Sequence, residues 1–377
     1  MKHNWAYQRL GDIAPAKPFK GSIASADGKY WCLNLDKIES NTGVVLEYDF
    51  IEESELGGSV HKFTVDNVLF SKLRPNLNKV VVPEQNGYCT TELVPLHPLD
   101  ILNRYYLAYY LRSPRYLNFL IGKTGGAKMP RVKMDIFWDS TIPVPPMEIQ
   151  KQIVEEFDQI NDLIAKNREL LSELDALAQS LFYDSFGDPL SNPKGFPIKT
   201  LKDVCVLKSG DSSANNLPDG DVPYVKVGDM NLIDNKRGII TSSNFVNIET
   251  KSKLLFPIGT TIFPKRGGAI LTNKKRLTKV QICCDLNIMG AIPQNIHPLY
   301  LYFFFLEKDF SELVDGSTVP QINNTDIYPL KIQVPPLALQ EEFASKVEAI
   351  EAQKVKVDAE ISELQNLLDA RMDYWFN

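Results

Sequence analysis

Cysteine and histidine are scarce in this sequence of 377 residues, and neither is arranged for chemistry. The five cysteines include one adjacent pair, Cys283-Cys284, but no CxxC spacing. An odd, scattered set suits a reducing compartment rather than a disulfide framework. The four histidines (His3, His61, His97 and His297) stand alone, so local spacing builds no metal site. Long apolar runs are also missing: the longest, Leu299–Leu306, has eight residues, against the roughly 20 that span a bilayer. The start, Met1-Lys2-His3-Asn4-Trp5, has no apolar run of the signal-peptide kind. These absences predict a cytoplasmic protein with no membrane part. The composition is that of ordinary globular chains, 44% hydrophobic and 23% charged, and the length suits two or three domains.

What is present is a repeat. The stretch Ile142-Pro143-Val144-Pro145-Pro146-Met147-Glu148-Ile149-Gln150 runs on to Leu181 without Gly or Pro. A second copy opens Ile332-Gln333-Val334-Pro335-Pro336-Leu337-Ala338-Leu339-Gln340 and runs to the C-terminus. Val144 and Val334, Gln150 and Gln340, and Ile160 and Ile350 each stand 190 residues apart, which means two similar domains. In the first copy Ile153, Phe157, Ile160, Ile164, Leu171, Leu174 and Leu181 follow a 4-3 alternation, with Asn167 and Ala178 completing the seam. Phe343, Val347, Ile350, Val357, Ile361, Leu364 and Leu368 keep that register in the second, with Lys354 and Arg371 at imperfect positions. Such spacing with charged flanks predicts paired coiled-coil rods rather than core helices. Pro tolerated in a first turn gives each a stiff start. About 36 residues at ~1.5 Å rise make a rod of roughly 54 Å. Four parts follow: globule 1–143, rod 144–188, globule 189–333, rod 334–377. Phe186–Phe196, dense in turn formers, reads as a linker.

The net charge of −6 is unevenly spread. Residues 1–143 carry net +2 and 189–333 net +4, whereas the rods carry −7 and −5. Both globules are mildly basic; an excess this small is not evidence on its own, but local field matters more than the total.

The globules share short motifs. Trp5 to Ile13 answers Phe196 to Val204 in its aromatic, Leu, Asp and β-branched positions, and Trp31 to Asp36 answers Tyr224 to Asp229, this second pair reading as a short strand entering a turn. Thr42-Gly43-Val44-Val45 resembles Arg237-Gly238-Ile239-Ile240. Val68-Leu69-Phe70 ends in a loop with Lys72, Arg74, Asn76, Asn78 and Lys79. Thr261-Ile262-Phe263 ends in one with Lys265, Arg266, Asn273, Lys274 and Lys275. These side chains suit phosphate oxygens and base edges, and the same placement after the same strand argues for a shared ligand over a merely solvated loop. The acid of Thr91-Glu92-Leu93, or of Cys284-Asp285-Leu286, either positions a basic neighbour or caps a turn. Tyr105–Leu111 and Tyr300–Leu306 read as short aromatic helices of a core. Before each rod stands a glycine turn and a polar loop, Gly125 to Val132 with Lys128 and Arg131, and Asp315 to Ile322 with Gln321. It either approaches a backbone closely or serves as a connection.

Val68-Leu69-Phe70-Ser71-Lys72-Leu73-Arg74-Pro75, the Gly-x-x-x-Pro turn and Val-Pro-Pro-x-x-x-Gln leading into a long helix, in doubled order across the whole length, resemble the specificity subunit of Type I restriction-modification systems. The resemblance implies an α+β chain in which two mixed α/β target recognition domains are separated by two long antiparallel coiled-coil helices, related as a pseudo-twofold internal repeat. It implies that each domain reads one half of a split sequence in double-stranded DNA and that the helices set the unread gap. It further implies no catalysis and no cofactor in this chain. Two adenine methyltransferase subunits would bring S-adenosylmethionine, and restriction subunits would bring ATP and Mg. A rod longer than one turn of DNA, about 34 Å, fits that geometry. Gln150 and Gln340, at the rod starts, are expected near the methyltransferase contacts or else merely finish a first turn.

For DNA contact the candidates are therefore Lys72, Arg74, Asn76, Asn78 and Lys79 in the first globule and Lys265, Arg266, Asn273, Lys274 and Lys275 in the second, followed by Lys128, Arg131 and Gln321. Lys supplies salt-dependent backbone affinity, while Arg and Asn suit base reading. Two other classes compete. A free-standing methyltransferase needs a Gly-rich cofactor loop and an Asn/Asp-Pro-Pro-aromatic motif; both Pro-Pro pairs here follow Val, and Gly267-Gly268 lacks the G-x-G-x-x-G frame. A coiled-coil protein scaffold is opposed by the paired Lys/Arg/Asn loops.

Overall fold

The computed structural model describes residues 5–25, 27–123, 129–189, 191–213, 220–247, 252–314 and 319–376. The chain divides into two compact units, residues 1–168 with 359–377, and residues 169–358.

In the first unit, β1 (Ala6–Arg9) pairs antiparallel with β9 (Thr141–Val144), so the globular segment is closed by its own two ends. Between them lie a four-stranded sheet and a three-stranded one. The larger takes the order β3 (Phe50–Glu52), β2 (Lys29–Leu33), β7 (Gly87–Thr90), β4 (Val60–Phe63). The smaller takes the order β6 (Val80–Val81), β5 (Val68–Ser71), β8 (Leu93–Leu96). Among the described residues of this unit only β2 and β7 pair in parallel, with Leu33 opposite Cys89.

The second unit repeats this plan. β10 (Ile198–Thr200) and β18 (Lys331–Gln333) close the segment. One sheet takes the order β11 (Cys205–Ser209), β17 (Ile288–Pro293), β14 (Thr261–Pro264), β15 (Arg276–Leu277). The other takes β13 (Phe245–Val246), β12 (Val222–Val225), β16 (Cys283–Cys284). Its parallel pair, β12 with β16, sets Val225 against Cys284, the equivalent of Leu33 against Cys89.

The aromatic helices sit where the sequence places them. Asn103 caps α1 (Arg104–Arg112) by accepting the N–H groups of Tyr105 and Tyr106, and α3 (Pro298–Leu306) opens on a proline. Both reach the closing strand pair through tyrosine hydroxyls: Tyr106 donates to the Pro143 carbonyl at 2.9 Å and Tyr110 to that of Thr141 at 3.3 Å, and Tyr300 donates to that of Gln333 at 2.7 Å.

The two rods are 40-residue helices, α2 (Met147–Phe186) and α4 (Leu337–Phe376), each about 60 Å long. The carbonyl of Pro146 accepts the first helical N–H groups of α2, from Ile149 and Gln150, and Pro336 does the same for Leu339 and Gln340. Gly187, at φ 74°, ends α2 by donating to the Tyr183 carbonyl at 2.7 Å, a left-handed cap that glycine adopts without a Cβ penalty.

Within each unit a half of α2 packs antiparallel to a half of α4. In the first, Glu156 meets Arg371 and Trp375, and Asn167 meets Glu360. In the second, Asp175 meets Lys354, and Phe182 packs edge-on against Phe343. The expected seam is borne out at Ile153, Phe157, Ile160, Ile164, Leu171, Ala178, Phe343, Val347, Ile350 and Val357, all buried, while Leu174, Leu181, Ile361, Leu364 and Leu368 are half-buried. The contrast drawn between coiled coil and core helix is corrected, because the helix ends do both. Ile153, Phe157, Met372 and Phe376 share one core with Tyr106 and Tyr110, and Phe182, Phe186 and Phe343 share another with Tyr300 and Phe303. Among the described residues, no helix is long and apolar enough to cross a membrane.

Candidate nucleic-acid interface

The first half of the basic loop after β5 is tied to its neighbours by backbone hydrogen bonds. Lys72 donates its N–H to the Glu92 carbonyl at 3.0 Å, Arg74 to that of Pro130 at 2.8 Å, and Val132 returns an N–H to Lys72 at 2.8 Å. Arg74 takes a left-handed conformation, φ 50°, which turns the chain before Pro75. The loop, the Glu92 turn and the segment leading to α2 are thereby one edge. On it Arg74, Asn76 and Arg131 are exposed and Lys72 is half-buried. Arg131 grips Glu92 with both arms, Nη2 to Oε1 at 2.9 Å and Nε to Oε2 at 3.3 Å. Of the two roles open to this acid, positioning a cation is the one it takes.

The second unit makes the same edge after β14. Lys265 donates its N–H to Asn287 at 2.8 Å, Gly267 to Pro320 at 2.8 Å, and Ile322 to Lys265 at 2.9 Å. Exposed Arg266 holds Gln321 through Nε at 3.2 Å and Nη2 at 3.0 Å, and Gln321 Nε2 donates to Asn323 Oδ1 at 2.7 Å. Lys265 Nζ donates to Ser209 Oγ at 2.8 Å, and burial followed by the nearby Arg266 charge holds its pKa below the ordinary lysine value. Asp285 here takes the other role: its carboxylate accepts the N–H and Nδ2 of Asn287 at 3.0 and 2.9 Å, capping a turn.

Several expected contacts are not on these edges. Asn78 and Asn273 both end a short 3-10 turn in left-handed conformation, φ 49° each, and both spend the amide inward, on the carbonyls of Arg112 (2.8 Å) and Lys308 (3.2 Å). Lys275 is buried: its Nζ donates to Asn273 Oδ1 and the Lys308 carbonyl, each at 2.6 Å, and lies 4.4 Å from the centre of the Phe310 ring. Half-buried Lys79 donates to the Leu35 carbonyl at 2.6 Å, and Lys274 to Asn231. Asn78, Asn273 and Lys275 are thus corrected from surface readers to internal braces. Lys128 and the glycine turns Gly125-Gly126 and Gly316 lie outside the described residues.

Gln150 and Gln340 are corrected as well. Both are buried, with Gln150 Oε1 accepting the Asn103 N–H at 2.8 Å and Nε2 donating to Ile101 and Pro145 at 2.9 and 2.8 Å. Gln340 accepts the His297 N–H at 2.8 Å and donates to Pro335 at 2.8 Å. Each amide fastens a rod start to the turn before an aromatic helix and leaves neither side chain at the surface of this chain. Sequence reasoning missed Ser209, Asn287 and Asn323, and also His61, whose imidazole is held below its ordinary pKa by burial and then by the Lys72 charge. Their places depend on which strands become neighbours, which short motifs do not encode.

Comparison with known proteins agrees with this doubled plan. The family described as “Type I restriction modification DNA specificity domain” matches residues 2–176 and again 193–365. The specificity subunit of the Type I restriction enzyme MjaIX of Methanocaldococcus jannaschii is 24% identical over 402 residues, covering 97% of this chain and 91% of that protein. That of EcoDI of Escherichia coli is 23% identical over 196 residues, 51% of this chain and 43% of that one. The fold is similar to a chain from a structure described as the basis of complex assembly and conformational transition of the type I R-M system. Its TM-score is 0.63 at 19% identity, covering 99% of this chain and 97% of the other. It is also similar to the Type I restriction-modification S subunit from M. genitalium, with a TM-score of 0.56 at 17% identity, covering 99% and 96%.

Proposed function

We propose a division of labour that proceeds from family membership: this chain belongs to the Type I restriction-modification DNA specificity family. It is a DNA specificity subunit with two recognition domains. Subunits of this kind are non-catalytic, bind DNA and work with methyltransferase and restriction subunits. In our reading, the edge after β5 reads one half of a bipartite target and the edge after β14 reads the other. The paired helices set the gap between halves and carry two methyltransferase subunits. Cofactor chemistry lies outside this chain, with S-adenosylmethionine on the methyltransferase and ATP with Mg on the restriction subunits.

One observation carries the reading. The two edges share a backbone hydrogen-bond frame but present different side chains, Arg74 beside an Arg131–Glu92 pair against Arg266 beside Gln321 and Asn323. A duplicated frame with diverged polar ends is what two different half-sites require. Arg74, Arg131 and Arg266 have the planar donors that suit guanine, while Lys72 and Lys265 suit phosphate oxygens. The acidic excess on the helices keeps those faces from the duplex and suits protein partners.

The test is DNA binding by this chain together with its methyltransferase partner, across a salt series. Lys72→Ala should weaken binding to all sequences alike and flatten the salt dependence by about one counterion. Arg266→Ala should relax preference at one half-site only. Equal loss on cognate and random DNA from Arg74→Ala and Arg266→Ala would remove the assignment of base reading to these edges.

A further inference from the structure

Positions 168 and 358 occupy the same register of the repeat, 190 residues apart, and carry opposite charges, Arg168 on α2 and Asp358 on α4. Each faces a loop of the globular segment in its own unit, and the loop carries the complementary charge. In the first unit Arg168 Nη1 lies 3.7 Å from Glu39 Oε2, the carboxylate that also accepts Thr42 Oγ1 at 2.6 Å. In the second, Arg237 holds Asp358 Oδ2 through Nε at 2.7 Å and Nη2 at 2.6 Å, and Glu351 stands 3.6 Å from Nη1.

The loops themselves are equivalent. Gly43 and Gly238 both have positive φ, 73° and 132°, and both are pressed against a short edge strand. A Cβ would lie 1.9 Å from the Val80 carbonyl oxygen in one case and 2.9 Å from that of Leu277 in the other. One glycine-anchored loop therefore meets one helix register twice with the polarity inverted, the loop charge standing four residues before the glycine in the first unit and one before it in the second. The position two turns earlier on the helix follows suit: Asn161 stands where the other unit has Glu351.

We propose that this inverted pair is a docking key, by which each half of the helix pair accepts its own recognition segment and rejects the other. Seated on the first half, Arg237 would meet Arg168 and find Asn161 in place of Glu351. Seated on the second, Glu39 would meet both Asp358 and Glu351. Attraction in partly exposed ion pairs is modest, so the discrimination comes from repulsion in the wrong pairing. The partner this surface fits is thus a recognition segment of the matching polarity, whether its own or one brought by exchange. This inference stands apart from the DNA-reading assignment, since no residue in it belongs to either edge.

Amide hydrogen–deuterium exchange on the full chain reads the two loops separately. Asp358→Arg should speed exchange at residues 237–241 more than Asp358→Ala does, and Arg237→Glu added to Asp358→Arg should recover most of the protection. Arg168→Asp should likewise loosen residues 41–45 more than Arg168→Ala, with Glu39→Arg restoring them. High salt should shrink the difference between reversal and neutral removal. Reversal no worse than alanine, or no recovery on restoring opposite charges, would overturn the key.

Discussion

At the scale of single residues, burial separates braces from readers. Gln150 uses both ends of its amide on three backbone partners in the interior. Gln150→Ala leaves those groups unpaired, so it should destabilise the first unit by about 1–3 kcal/mol in urea unfolding. A partner-contact role would instead weaken assembly with stability intact. Lys275 gives a pH signature. Burial pushes its amine down to about 8, with the nearby Asp309 and Glu307 charges opposing. An unfolded lysine titrates near ~10.4, so between about 8 and that value the unfolded state holds more protons and stability rises with pH. Below about 8 both states are charged and the slope vanishes. Lys275→Met should abolish that rise in stability between pH 8 and 10; an unchanged slope would contradict it. The sequence made both basic loops legible because each follows an apolar strand of the same pattern. It could not tell Asn76 from Asn78, or Lys265 from Lys275. A left-handed turn or a ring such as Phe310 decides whether such a side chain points out, and those neighbours come from distant segments.

At the scale of elements, the seam of the helix pair carries charged residues at Lys354 and at Arg371, and of these two Lys354 is the buried one. Lys354 is buried between Asp175 and Glu351, at the register where the first unit has Ile164. A buried cation held by carboxylates contributes little net stability over a packed apolar side chain. Lys354→Ile should leave the unfolding midpoint unchanged or raise it. Ile164→Lys should lower the unfolding free energy by about 3–5 kcal/mol, because Asn161 and Gln365 stand where the carboxylates would be. Equal effects of the two substitutions would contradict this reading of the seam. Phe186 and Phe376, at matching helix ends, close the two cores, and Phe186→Ala should cost about 3–5 kcal/mol in equilibrium unfolding. The 4-3 spacing and the Val-Pro-Pro starts made the helices legible to within a few residues. Their part in the globular cores was not legible, since one apolar stripe serves a helix partner and an aromatic helix equally well.

At the scale of the whole molecule, the repeat is the information. Net charge points away from nucleic acid, yet its division into basic segments and acidic helices follows the division of labour. Matching backbone frames carry diverged side chains, Arg74, Glu92 and Arg131 against Arg266, Gln321 and Asn323, and in our proposed reading that divergence makes one duplicated scaffold into two readers. The most direct test is a methylation map, with this chain expressed beside its methyltransferase subunit in a host free of methylation and N6-methyladenine located across the genome. The account predicts two short specific halves around a fixed unread gap, with exchange of residues 196–331 changing one half alone. A continuous motif, or an active methyltransferase in stable complex that leaves no motif at all, would contradict it.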